Sequence, residues 1–284
     1  MRVLLTNDDG YEAPGLAALR GALGSPEFAQ GFAGGEDVEV IVVAPSRVQS
    51  AMGHAVTLHR PVEVSRRASP YPGHAVSGRP ADCVKLALHK LDLGPVDLVV
   101  SGMNAGANVG FNVFYSGTVG AAREAAFLGL PAVAVSLHLR DRMHDHWDRA
   151  AQEAVSAMVH LGRDAVERAG LTTINVPVLD GGVSPQGVAV CPMSLSPLRD
   201  AWEDAGAGEA GPLYQAGPGM RFHAPEPGSD VAMLFEGWVT ATPLSINPTD
   251  AAALHELTQV SAETAVAEAG EPDAESCVES DGGA

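Results

Sequence analysis

A chain of 284 residues, 46% hydrophobic and only 18% charged, can bury one large α/β core with an appendage, or two small cores. Its formal charge of −18 excludes non-specific binding to nucleic acid or to an anionic membrane surface, since both need basic patches. The three cysteines, Cys83, Cys191 and Cys277, show no C-x-x-C spacing, so ordinary thiols are expected rather than a disulfide framework or a zinc site. No basic and apolar leader and no apolar run of membrane-spanning length is visible, and the expectation is a cytoplasmic protein.

The first element is a short strand, Val3 to Thr6, apolar on both faces, which runs into Asn7, the adjacent acids Asp8 and Asp9, and Gly10. Pro14 with Leu16, Leu19 and Leu23 predicts a helix, and residues 25–37 a loop. A second buried strand, Val38 to Ala44, ends at Pro45 and is followed by Ser46, Arg47, Gln49 and Ser50. An extended excursion over residues 56–64, a turn at Tyr71-Pro72-Gly73 and a helix from Ala81 to Leu91 lead to the third strand, Asp97 to Val100, and the glycine-rich segment S-G-M-N-A-G-A-N-V-G. A small-residue helix from Thr118 to Leu128, a strand from Pro131 to Leu137, an amphipathic helix from Arg149 to Arg168 and a strand from Thr172 to Val176 complete the alternation.

Strands alternating with helices over residues 1–180 predict a Rossmann-like, doubly wound α/β core with a largely parallel sheet. Residues 181–260 read as a β-rich C-terminal arm with strands at 188–191, 213–215, 230–236 and 238–243 and a closing helix at 250–260. The small, acidic segment 261–284 reads as a disordered tail.

In a parallel sheet the polar segments after the first three strands fall at one edge, where ligands bind in open α/β folds. Asp8 and Asp9 would contribute charged oxygens, Ser50 a hydroxyl and Asn104 an amide oxygen. That donor set suits one Mg²⁺ or Mn²⁺ ion and does not suit zinc. Ser116, Gly117 and Thr118, at a helix start, would cradle an anion with backbone N–H groups and hydroxyls. Metal plus anion cradle reads as phosphate ester hydrolysis. Taken singly, each segment has a plainer reading: the acid pair as a capped turn, Ser50 as a loop serine, S-G-T as a common loop sequence. His54 reads as a proton carrier or phosphate contact, or as neither; His138, His144 and His146 around Asp145 read as an exposed loop before a second metal site.

The segments L-L-T-N-D-D-G (4–10), V-V-A-P-S-R-V-Q-S (42–50), S-G-M-N-A-G-A-N-V-G (101–110) and Y-S-G-T-V-G-A-A-R-E-A (115–125) resemble the SurE family of survival nucleotidases, as do V-S-G-R-P-A-D-C-V (76–84) and G-W-V-T-A-T-P-L (237–244). The resemblance implies a divalent-metal-dependent phosphatase of nucleoside 5′- and 3′-monophosphates, forming a homodimer or homotetramer with an exchanged arm. It implies one metal ion per subunit, held by Asp8, Asp9, Ser50 and Asn104, and a phosphate pocket lined by Asn108, Ser116, Gly117 and Thr118. The chain departs from the family pattern at Ser46, where Asp is usual, and at Ala51, where Gly is usual. Two rivals fit less well. A receiver domain needs a phosphorylatable Asp and a Lys where this chain has S-G-M-N and S-L-H-L-R, and an aspartyl-nucleophile phosphatase needs D-x-D where the acids here are adjacent.

Overall fold

The computed structural model describes residues 1–139, 146–179, 182–199, 202–216 and 221–268. In chain order the elements are β1 (Arg2–Thr6), α1 (Pro14–Leu23), α2 (Pro26–Gly31), β2 (Glu39–Pro45), β3 (Val64–Arg67), β4 (Gly73–Val76), α3 (Pro80–His89), β5 (Leu98–Ala105), α4 (Asn112–Tyr115), α5 (Gly117–Phe127) and β6 (Ala132–Leu137). There follow α6 (Trp147–Leu161), α7 (Arg163–Ala169), β7 (Leu171–Val176), β8 (Val188–Val190), β9 (Leu198–Arg199), β10 (Trp202–Gly208), β11 (Gly211–Ala216), β12 (Arg221–Phe222), α8 (Asp230–Phe235), β13 (Val239–Pro243) and α9 (Ala251–Glu268).

Nine strands form one sheet in the order β3-β4-β2-β1-β5-β6-β7-β13-β8. Its centre, β2-β1-β5-β6-β7, is parallel throughout, which is the doubly wound α/β fold expected. Period-two alternation sends Val3 and Leu5 of β1 to one face and Leu4 to the other. On the first face they meet Leu16, Leu19 and Leu23 of α1 and Val155 and Met158 of α6; on the second, Cys83 and Val84 of α3 and Val119 and Ala122 of α5. The strands are therefore covered on both sides, and this is why they read as continuous apolar runs.

Several elements differ from expectation. The segment 230–236 is not a strand but helix α8, because Ser229 caps it by accepting from Ala232 N–H at 3.4 Å. The single helix expected over 149–168 is two, α6 and α7, broken where Gly162 takes a positive φ of 79°. A short helix, α2, stands in the expected loop, capped by Ser25. The sheet does not stop near residue 180: β13 pairs antiparallel with β7 and parallel with β8, so two strands of the expected arm extend the main sheet. The rest of that arm is the hairpin β10–β11 and the pair β9–β12. Cys83 and Cys191 are free, buried thiols; Cys277 lies outside the described residues.

The chain divides into two compact units, Met1–Ile246 and Asn247–Ala284. Within the second, α9 runs to Glu268, eight residues into the expected disordered tail, since Ala and Glu favour a helix whatever the lack of aromatic residues. Residues 269–284 are outside the described set. Among the described residues no helix is long and apolar enough to cross a membrane.

One irregularity shapes the site. The β5–β6 register shifts between Ser101 and Asn104, and in that bulge a Cβ on Gly102, whose φ is +145°, would lie 2.2 Å from Val135 O. Gly102→Ala is expected to destabilise the protein by about 2–4 kcal/mol through overpacking and backbone strain, measured as the shift in denaturant midpoint.

Candidate active site

The turn after β1 is built before any ligand arrives. Asn7, fully buried, accepts from Gly10 N–H at 3.2 Å and donates to Gly10 O at 2.9 Å, closing the N-D-D-G turn and holding both acids at the strand end. The loop after β2 is fastened to this turn, with Tyr11 N–H donating to Pro45 O and Gln49 N–H to Asp8 O, both at 2.7 Å. The loop after β5 is fastened to it as well, because Ala105 N–H donates to the Asp9 carboxylate at 2.9 Å. Helix α5 supplies the fourth wall: Thr118 Oγ1 donates to Asp8 Oδ1 at 2.5 Å. A Cβ on Gly117 would sit 2.9 Å from the Asp8 side chain, so only glycine lets the helix start approach this closely.

Burial pushes Asp8 up to about 6, opposed by the Thr118 hydroxyl and reinforced by the neighbouring Asp9. Burial raises Asp9 too, with the Ala105 N–H pulling the other way. Two adjacent, largely buried carboxylates with neutral oxygens around them form a donor set that fits a hard divalent ion. The fit is to two carboxylates plus neutral oxygens; among the described residues no three His, Cys, Asp or Glu side chains come together as a ligand set. Asn104 donates its amide nitrogen to Gly106 O at 2.6 Å, which leaves the amide oxygen as the donor for a cation.

The other expected residues are placed as follows. Ser50 is exposed in the loop after β2, and the next residue, Ala51, takes a left-handed φ of 57° that a glycine would adopt without the cost of about 1 kcal/mol. Ser46, the other departure from the family pattern, is exposed and lines a separate polar cleft with Arg47, Arg60 and Glu63. Ser116 caps α5 by accepting from Val119 N–H at 3.1 Å, keeping its own proton to donate. Asn108 is buried beside β6 and β7: its amide nitrogen donates to Ser136 Oγ and its backbone N–H to Asn175 Oδ1, each at 2.8 Å. His54 is held elsewhere on α5, its Nε2 2.7 Å from Glu124, which also pairs with Lys85 at 2.8 Å. The His54 backbone packs beside Gly120 on the first turns of α5, and its ring is engaged by Glu124. His138 and His146 are described and His144 and Asp145 are not.

Sequence reasoning passed over Asn7, Asn175 and Asp230. Asp230 is buried and accepts from Gly110 N–H and Ser194 N–H, both at 2.8 Å, tying the loop after β5 to α8. The visible signal for Asn175 was an amide inside the apolar strand L-T-T-I-N-V.

A sequence profile described as "Survival protein SurE" matches residues 3–199. The chain belongs to the SurE family. Among its relatives, a protein named 5'-nucleotidase SurE from Rhodopirellula baltica is 42% identical over 252 residues, spanning 88% of this chain and 94% of the relative. One of the same name from Nitratidesulfovibrio vulgaris (strain DP4) is 38% identical over 258 residues, 90% of this chain and 98% of that one. The crystal structure of SurE from Aquifex aeolicus superposes with a TM-score of 0.69 at 29% identity, covering 92% of this chain and all of that one. The motifs that follow β1, β2 and β5 and open α5 all lie within the SurE match.

A raised carboxylate binds its proton more tightly folded than unfolded, so in metal-free protein stability falls as pH rises from about 4 through about 6. Asp8→Asn, which still accepts from Thr118, is expected to stabilise metal-free protein at pH 7 by up to about 3 kcal/mol and to flatten that pH dependence. Thermal melts in chelator at pH 4 to 8 measure it.

Proposed function

We propose that this chain is a divalent-metal-dependent phosphatase that hydrolyses nucleoside 5′- and 3′-monophosphates. The observation that carries the reading is the convergence of Asp8, Asp9, Asn104 and the Ser116–Thr118 turn at one sheet edge, in a chain whose relatives bear the name 5'-nucleotidase. In this reading Asp8, Asp9, Asn104 and Ser50 hold one Mg²⁺ or Mn²⁺ ion. Bound there, the ion would offset the paired negative charges and supply Lewis-acid and water-activating chemistry.

The residues of the chain then divide the remaining work. The Ser116 hydroxyl and the Gly117 N–H face the phosphate as donors, with the dipole of α5 behind them. Thr118 spends its proton on Asp8 and orients that carboxylate instead of the substrate. Water attacks phosphorus in line, either Asp8 or Asp9 takes its proton, the bond from phosphorus to the ribose oxygen breaks, and the departing oxygen takes up a proton, so that the nucleoside and inorganic phosphate are released. Asn108, locked by Ser136 and Asn175, keeps the loop after β5 in place, and its amide oxygen and second amide proton remain for substrate.

We further propose that the β10–β11 hairpin is the arm exchanged between subunits of a homodimer or homotetramer. Its exposed Trp202 and Tyr214, 70% and 58% accessible, support this, because a lone two-stranded hairpin is marginal in water. Trp202→Asp is expected to reduce the oligomer mass measured by light scattering while leaving the midpoint of the main unit within about 1 kcal/mol.

With Mn²⁺ or Mg²⁺, the protein is expected to release phosphate from AMP and from 3′-AMP, and chelation is expected to abolish it. Asp9→Ala should lower kcat/KM at least about 100-fold and Asn104→Ala about 10-fold or more. Activity that survives either chelation or the loss of Asp9 would overturn the metal-site reading.

A further inference from the structure

A second cleft, of about 430 Å³, opens on the same edge of the sheet. His138, Pro177, Val178, Leu234 and Phe235 form most of its lining. The chain of contacts from the acid pair to this cleft is short. Asp9 accepts from Ala105 N–H; Ala105 is paired with Leu137 across β5 and β6; Gly106 N–H donates to Leu137 O at 2.9 Å; His138 is the next residue. His138 in turn donates its N–H to Val176 O at 2.8 Å, which brings Pro177 and Val178 alongside. Neighbouring strands are about 4.8 Å apart, so the cleft begins one strand spacing from the backbone that holds Asp9.

Its chemistry differs from that of the acid site. Phe235 stands at the end of α8 with 59% of its surface exposed, above the buried Leu234. The His138 ring meets it edge-on, centroids 5.1 Å apart and planes at 70°. Apart from that imidazole the side chains named above are apolar. The volume falls within the range of small-molecule sites, and an exposed aromatic face next to such a wall suits a flat π-system.

We propose that this cleft receives the nucleobase of the substrate, stacked on the face of Phe235 with the His138 imidazole at its edge, while the phosphate lies at the Asp8, Asp9 and Ser116–Gly117 end. The proposal rests on the phosphatase reading above and deepens it, making Phe235 and His138 the residues that distinguish a nucleotide from a bare sugar phosphate. Because the contact is stacking against an apolar wall, recognition is by ring area and tolerates different bases.

AMP and ribose 5-phosphate separate the two ends of the site, since they share the phosphate and ribose and differ in the base. Phe235→Ala is expected to raise KM for AMP about 10-fold, with kcat unchanged and both constants for ribose 5-phosphate unchanged. Phe235→Tyr should restore the AMP value, and His138→Ala should give a smaller rise of the same kind. Equal effects on the two substrates, or no effect on AMP, would overturn the proposal. So would loss of oligomer mass in Phe235→Ala with the AMP constants intact, which would assign this face to a subunit contact. If the wild type hydrolyses neither substrate, the phosphatase reading fails, and calorimetric titration with adenosine decides the cleft: binding that Phe235→Ala removes supports it, and absence of binding overturns it.

Discussion

Two carboxylates, side by side at the end of a central strand and largely withdrawn from water, are the constraint around which the rest of the site is arranged. Charges so placed are costly unless each finds a donor. Asp8 finds the Thr118 hydroxyl and Asp9 the Ala105 N–H, and these two bonds fasten α5 and the loop after β5 to the turn after β1. The donors are too few to bring either acid back to its ordinary range. The deficit that remains is electrostatic, and it is what a divalent cation would fill in the function we propose.

The scaffold accounts for the precision of that arrangement. Each loop is anchored to its neighbour through backbone N–H groups: Gln49 to Asp8 O, Tyr11 to Pro45 O, and Gly110 and Ser194 to the Asp230 carboxylate. The close approaches fall where a side chain would not fit, at Gly102 against Val135 and at Gly117 against Asp8. Ser50 is the exception. It is exposed, and the residue after it pays for a left-handed backbone without being a glycine, so this loop is the least preorganised part of the proposed ligand set.

The two ends of the sheet edge divide along chemical lines. The acid pair and its donors lie at the ends of β1 and β5, and the exposed Phe235 with His138, Pro177 and Val178 lies just past the ends of β6 and β7, where Ser136 and Asn175, near the ends of those strands, are hydrogen-bonded to Asn108. A substrate with an anionic head and a flat, apolar tail matches that gradient. The gradient follows from sheet order, because β5 and β6 are adjacent and carry unlike loops.

By itself the sequence determined the parallel core, because strands buried on both faces must be apolar throughout and helices that cover them must be striped, and both patterns are local. It also determined which residue types end the strands, and so made Asp8, Asp9, Ser50, Asn104 and the Ser116–Thr118 turn the candidates for the site we propose. Tertiary structure alone decided the rest. Residues 230–236 read as a strand from their apolar content; the seat against β13 makes them a helix, in agreement with the local Ser229 cap that the apolar run outweighed. His54 read as a proton carrier or phosphate contact, or as neither; tertiary structure sets its ring against the buried Glu124. The cleft at Phe235 has no local signature, since it joins residues almost a hundred positions apart in the chain. Such placements depend on which strand ends lie side by side, and strand adjacency is a property of long-range pairing that no local pattern encodes.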